Sequence, residues 1–439
     1  MLRIGFAEED ITPPLGPRMA GHFRDDRVEG IHDPLHARAM AITGGGPPGS
    51  EITFVFISCD LLSIRRGTVM AARRRIEEAT GIPGDCITVN ATHTHTGPAA
   101  SRIFGMDPDE NYVAFLEDRI AQAGIEALQR RQPGSLTVAY GFEGKLTHQR
   151  RFIMRDGAAR MHPPKGGTDI LYQEGPSDPE FGVLWAEDAA GQPLGCWVNY
   201  ACHVNTIGGG SPVSADYPGY LATALKARQH EKFVTLFGNG CCGNLCAIDV
   251  YDPDRNDRGH EWARHMGETL ADDVLKALPE GDKLTDPRLD HRAAIIPMPS
   301  RHLPEELLVW ARDFLDAADE NTPFTERCYA SMALEMRQAQ RLEPLVNAEI
   351  DAFRLGDYAL VTLPGEIFTE FGLDIKLKSP ARRTFVMELA NGIVGYVPTK
   401  RAFEGGGYEQ RTATSSKLDP VAGEMMVAVG RALLESMFR

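Results

Sequence analysis

Ile87-Thr88-Val89-Asn90-Ala91-Thr92-His93-Thr94-His95-Thr96-Gly97-Pro98 runs from a short apolar, β-branched segment into a polar loop that carries two imidazoles and closes on a Gly-Pro turn. Ile87 to Val89 has strand length and β-branched character, which predicts a strand. Ile52 to Ile57, Leu136 to Tyr140 and Val234 to Phe237 are further strand-length runs, and several lack the polar alternation of a surface strand, so strands buried on both faces are expected. Between these runs the apolar spacing changes to three and four. Val113, Leu116, Ile120, Ala123 and Ala127 fall on one helical face, and Pro133-Gly134 is expected to stop that pattern. Helices are also expected over Thr68 to Ala79, Gly219 to Arg228, Trp262 to Leu278 and Val421 to Met437. Strands alternating with helices predict an α/β fold whose sheets are covered by helices. The charged, helical segment from about Arg301 to Arg341 reads as an insertion or a lid. There is no internal repeat or low-complexity stretch, and 1–439 is expected to form a single domain.

The composition is that of a soluble globular protein with a sizeable core. A formal net charge of -15, with no long run of Lys and Arg, argues against nucleic acid and anionic membrane surfaces as partners. The start, MLRIGFAEEDITPP, has acidic residues and prolines where an export signal needs a basic start and an apolar stretch. No segment approaches the roughly twenty apolar residues of a membrane span. The expectation is a cytoplasmic protein whose eight cysteines are mostly reduced thiols. A homo-oligomer is compatible with this composition, because sequence does not separate exposed apolar faces from buried ones.

His93 and His95 leave the end of one strand together, and a spacing of two on extended backbone points both rings to one side. That arrangement suits a metal ligand with a catalytic neighbour, and it equally suits a hydrogen-bonded polar loop. His203 ends the apolar run Trp197-Val198-Asn199-Tyr200-Ala201-Cys202-His203 and precedes the loop Gly208 to Asp216. Strand ends opening into Gly-rich loops are where α/β enzymes assemble their sites, although a lone His there is often structural.

Three further segments complete a pattern: Leu363-Pro364-Gly365-Glu366, Asn391-Gly392-Ile393-Val394-Gly395-Tyr396-Val397-Pro398-Thr399 and Gly407-Tyr408-Glu409. With Asp10-Ile11-Thr12-Pro13, Gly30-Ile31-His32 ahead of Arg38-Ala39, and Gly243-Asn244-Leu245, the sequence resembles the neutral, non-lysosomal ceramidase family, in order over nearly its whole length. The resemblance implies two mixed sheets sandwiched between helical layers. It implies one zinc ion held by His93, His203, Glu366 and Tyr396. Two imidazoles and a carboxylate leave room for water on zinc, and a phenol is a weak, displaceable ligand, so the set is of the open, catalytic type. By the same resemblance His95 manages the proton of that water, Tyr408 stabilises the oxyanion, and Arg150, or its neighbour Arg151, holds a polar group of the substrate.

The sequence departs from the family at Gly240-Cys241-Cys242-Gly243-Asn244-Leu245-Cys246-Ala247, where Cys246 stands at the family's catalytic Ser. A thiol there can hydrogen-bond, act as a nucleophile if its pKa is lowered, or be inert; the inert or assisting role is favoured, since zinc already activates the water. Two decoys are set aside. His260-Glu261-Trp262-Ala263-Arg264-His265 has its second His one residue too late for a zinc-protease helix, and Asp252-Pro253-Asp254-Arg255-Asn256-Asp257 lacks the Gly of a calcium loop and reads as a polar turn with a helix cap. Cys241, Cys242 and Cys246 have no matching second cluster for a structural zinc site.

The function expected is zinc-dependent hydrolysis of an amide or related acyl bond. Full-length ceramidases are secreted or membrane-facing and carry a further β domain, whereas this sequence stops soon after Tyr408, so a small-molecule amide, cyclic amide or ester fits as well as a sphingolipid. Two alternatives stand beside it: a zinc-dependent lyase or isomerase in which His95 removes a proton from carbon, and a non-catalytic metal- or ligand-binding protein.

Overall fold

The computed structural model describes residues 1–45 and 51–438. Its larger sheet has nine strands. From one edge the order is Val234–Asn239, Pro193–Tyr200, Glu180–Asp188, Gln132–Phe142, Leu2–Asp10, His36–Gly44, Ile52–Cys59 and Ile87–Ala91, with Asp282–Leu284 also pairing Gln132–Phe142. The interior neighbours are antiparallel, and the outermost pair at each edge is parallel. A second, four-stranded mixed sheet holds Leu289–Pro299, Leu345–Leu355, Tyr358–Thr362 and Arg383–Met387.

Alternation along the strands explains the layering. In His36–Gly44, Ala37, Ala39 and Ala41 face the helices Arg66–Thr80 and Glu110–Gln129, while Met40 and Ile42 face the second sheet. In Ile52–Cys59, Val55 and Ile57 face the helices, and Phe54 and Phe56 meet Phe353 of the second sheet at 5.0 Å between ring centroids. Small residues let helices approach closely, and aromatic rings fill the wider gap between sheets. Another stretch of the large sheet packs on the helices Asp216–Arg228 and Gly259–Ala277, and the outer face of the second sheet on Thr369–Lys378 and Ala422–Met437. The result is helix, sheet, sheet, helix, the α/β sandwich that the sequence and its family resemblance led us to expect. Strands buried on both faces read as near-continuous apolar runs for this reason.

The large sheet also coils. Its two edges, far apart in strand order, meet where Ser58 Oγ donates to Phe237 O at 2.6 Å and Asn90 Nδ2 donates to the same carbonyl at 3.1 Å. This contact brings the ends of Ile87–Ala91 and Pro193–Tyr200 together and thereby sets His93 beside His203.

Two local expectations are corrected. Pro133-Gly134 does not form a turn: the helix ends at Gln129, and both residues lie at the start of the strand Gln132–Phe142. Asp257 does not cap the helix Gly259–Ala277; its carboxylate accepts from Lys165 Nζ and from the Asp249 amide, both at 2.8 Å. The segment 301–341 contains two helices, Glu305–Asp316 and Phe324–Leu342, which pack on each other. Among the described residues no helix is long and apolar enough to cross a membrane.

Candidate metal centre

The backbone of His93 has φ +74°, a left-handed conformation uncommon for a residue with a side chain and worth asking a reason for. Its amide donates to Leu61 O at 2.9 Å, and its ring Nδ1 lies 2.9 Å from Leu62 O. The bend thus aims Nε2 into the protein. His95 Nδ1 lies 2.9 Å from Gly21 O, and His203 Nδ1 lies 3.3 Å from Cys242 O. A carbonyl only accepts, so each Nδ1 carries the proton and each neutral ring presents a bare lone pair at Nε2. Those lone pairs converge: His93 Nε2 is 3.0 Å from His203 Nε2 and 3.4 Å from His95 Nε2.

Glu366 completes the group. Its Oε2 lies 3.3 Å from His93 Nε2 and 3.9 Å from His203 Nε2, and it is buried without a hydrogen-bond partner. Burial, then the neighbouring imidazole of His93, holds the His95 and His203 rings well below the usual histidine range, so a proton does not fill the gap near neutral pH. Arg150 Nη1 lies 3.4 Å from His203 Nε2, a long contact from one side. Lone pairs facing one another beside an orphaned carboxylate are the mark of a cation site. Ligands at about 2.1 Å around a tetrahedral ion stand roughly 3.4 Å apart, close to the spacing found. Imidazole and carboxylate donors suit zinc and similar transition ions. The residues present therefore fit a metal.

Tyr396 stands opposite Glu366 in the short parallel pair Glu366–Ile367 and Tyr396–Val397. Burial, and next the Glu366 carboxylate, holds its hydroxyl well above the usual range. The Tyr408 ring is 5.5 Å from that of Tyr396, and its hydroxyl is likewise kept protonated by burial and then by Glu366. Both rings line a cavity of about 560 Å³ together with His95, His203 and Arg150.

Arg150 is the member of its pair that faces the cavity. Its Nε donates to Glu409 Oε1 at 2.8 Å, while the buried Nη2 has no partner. Burial works against its charge, but Tyr396 and Glu409 outweigh it and keep the guanidinium ionised. Arg151 turns away to Glu174, Glu409 and Gly406 O. Cys246 is not among the residues lining the cavity; its thiol sits with Phe152, Met154, Ile248 and Val250, 3.9 Å from His162 Nδ1, and burial pushes it up to about 11. Its side chain is therefore set as an inert core residue. Cys241 and Cys242 lie in two other apolar clusters, and all eight cysteines are free.

Several supports carry no motif of their own. Gly21 lends its carbonyl to His95, and a Cβ there would lie 2.6 Å from His95 Nδ1. Glu388, fully buried, accepts from the Ile367 amide at 2.6 Å and from Cys242 Sγ at 3.0 Å, fixing the backbone on either side of Glu366 and His203. The one signal for Glu388 is a lone acid in the run Phe385-Val386-Met387-Glu388-Leu389.

No family model and no curated protein matches the chain. Two solved structures do: the neutral ceramidase from Pseudomonas aeruginosa, with TM-score 0.77 and 19% identity over 100% of this chain and 74% of that one, and a ceramidase complexed with C2, with TM-score 0.77 and 19% identity over 99% and 75%. Over its whole length the chain has the fold of the neutral ceramidase, across about three quarters of that protein.

Proposed function

We infer that the chain is a metal-dependent hydrolase of a non-peptide amide or related acyl bond. The observation that carries this reading is the convergence of three imidazole lone pairs and an unpartnered carboxylate at the floor of a cavity that also holds an arginine N–H and a neutral tyrosine. We assign His93, His203, Glu366 and Tyr396 as the ligands, and zinc as the metal. When bound there, zinc polarises a carbonyl and acidifies water.

The protein groups do the rest. His95, anchored through Nδ1 to Gly21, keeps a free Nε2 to accept a proton from the attacking water and return it to the departing amine. Tyr408 retains its proton and donates to the oxygen that becomes negative as the acyl carbon turns tetrahedral. Arg150 offers its free Nη2 to a polar group of the substrate. Water adds to the acyl carbon, the C–N bond breaks, and acid and amine leave. We read 1–439 as one ceramidase-like catalytic unit with the helices around 301–341 as an insertion, and place it in the cytoplasm on the strength of its free thiols.

The test is elemental analysis of purified protein beside assays on amides, lactams and esters. About one zinc per chain, lost in His93→Ala, His203→Ala and Glu366→Ala together with turnover, is the expected result. A folded protein that takes up no metal when zinc is supplied would sink the proposal.

A further inference from the structure

The cavity has two unlike walls. One is aromatic: Phe23, Tyr329 of the helix Phe324–Leu342, and Tyr408 stand with Phe23 5.3 Å from Tyr329 and 6.1 Å from Tyr408 between ring centroids. The opposite wall is made by Met161, His162, Ile248, Asp257 and Arg258. Arg258 immediately precedes the helix Gly259–Ala277, whose first turn has no side-chain cap, so the positive end of that helix adds to its charge.

The carboxylates around the cavity are already engaged. Asp257 takes Lys165 at 2.8 Å and Arg255 at 3.4 Å, Glu409 lies between Arg150 and Arg151, and Glu326 holds Arg411 through both oxygens at 2.9 and 2.6 Å. Arg258 has no ion-pair partner among the described residues. Arg150, almost fully buried, holds an unpartnered Nη2. Between them stands His162, in the left-handed region at φ +47°, its amide donating to Arg150 O at 2.9 Å. Burial first, then Arg150 and Arg258, push its ring down to about 4, so both guanidinium groups act at this end of the cavity.

A free cation and an orphaned buried N–H, in a chain of formal net charge -15, are a mismatch that an anionic ligand would relieve. One unengaged cation matches a single negative charge. Building on the amide-hydrolase reading above, we propose that the substrate is an N-acyl amino acid or a similar carboxylated amide, its carboxylate held by Arg258 and Arg150 Nη2 and its acyl group against Phe23, Tyr329 and Tyr408. Hydrolysis then gives a carboxylic acid and an amino acid. A guanidinium fork pairs well with a planar carboxylate, and the aromatic wall offers stacking to a compact acyl group. Long alkyl chains have no such need for a charged wall.

The test compares N-benzoylglycine with N-ethylbenzamide, which lacks the carboxylate, on zinc-loaded protein, reading kcat/KM and calorimetric Kd. The wild type is expected to prefer N-benzoylglycine by at least about tenfold in both. Arg258→Lys should keep most of that preference and Arg258→Glu erase or invert it. Arg258 is exposed, so its replacement does not disturb the core, and the thermal midpoint checks this. Equal values for the two amides, a preference unchanged in Arg258→Glu, or no binding of either compound would overturn the carboxylate subsite. If neither amide is cleaved yet N-benzoylglycine binds preferentially through Arg258, the subsite stands and the amide-hydrolase reading is what falls.

Discussion

Gly21→Ala separates the proton carrier from the metal ligands. Gly21 has φ +96°, where an L-residue costs on the order of 1–3 kcal/mol. An added Cβ would stand 2.6 Å from His95 Nδ1, 2.8 Å from Cγ and 3.0 Å from Cβ, against an ordinary contact that begins near 3.4 Å. The His95 ring must retreat by about 0.8 Å, the difference between 3.4 and 2.6, and its bond to Gly21 O goes with it. A shift near 1 Å in a reacting group costs about 100-fold in rate. His93, His203 and Glu366 do not touch Gly21, so metal content stays near one per chain. With an unfolding entropy of about 0.9 kcal/mol per degree for 439 residues, the strain lowers Tm by about 1–3 °C. The assay is kcat/KM on the best amide found, elemental analysis, and a thermal scan. Activity within threefold of wild type at full metal occupancy would show that His95 carries no proton in the reaction; loss of metal would show that His95 is itself a ligand.

Three further outcomes are expected. Chelating the metal should lower Tm by about 3 °C relative to protein at a free zinc concentration 100 times its Kd, where ligand linkage gives about 2.7 kcal/mol; His203→Ala should remove the shift, and an unchanged shift would place the metal elsewhere. Cys246→Ser should keep kcat within about twofold while costing about 1–3 kcal/mol, because it buries a hydroxyl among Phe152, Met154, Ile248 and Val250; a tenfold loss of rate at full folding would restore a catalytic thiol. Buried His162 resists its charge until about pH 4, whereas the unfolded chain protonates it near 6.5, so its contribution is complete above pH 6.5 and fades as pH falls toward 4. That window is worth on the order of 3 kcal/mol, and His162→Asn, which tolerates the same φ, should flatten it in denaturant titrations at pH 4, 5 and 7.

The sheets were legible because buried strands leave unbroken apolar runs, and the helices because their apolar spacing is three and four. The misreading at Pro133-Gly134 has a physical source: the pair usually breaks structure, but here the strand starts on it, with Gly134 against the backbone of Glu187. Each imidazole and Glu366 stands at a strand end next to a Gly or Pro, which is why motif spacing singled them out. What sequence did not carry was the convergence. It depends on the coil of the sheet, pinned by Asn90 and Ser58 on the Phe237 carbonyl, and on main-chain carbonyls at Gly21, Leu62 and Cys242 that any residue could supply. Cys246 shows the converse, a motif position whose side chain faces the core.

The meeting of distant strand ends also sets a timetable for synthesis. His93 and His203 leave the ribosome early, and Glu366 follows 163 residues after His203, the difference between 366 and 203, an interval of roughly 8–30 s at ordinary elongation rates. During that interval the nascent chain holds imidazoles without the carboxylate, a softer donor set that favours copper over zinc. Which metal the finished protein carries is therefore decided by how quickly the strands after residue 289 dock on the first sheet.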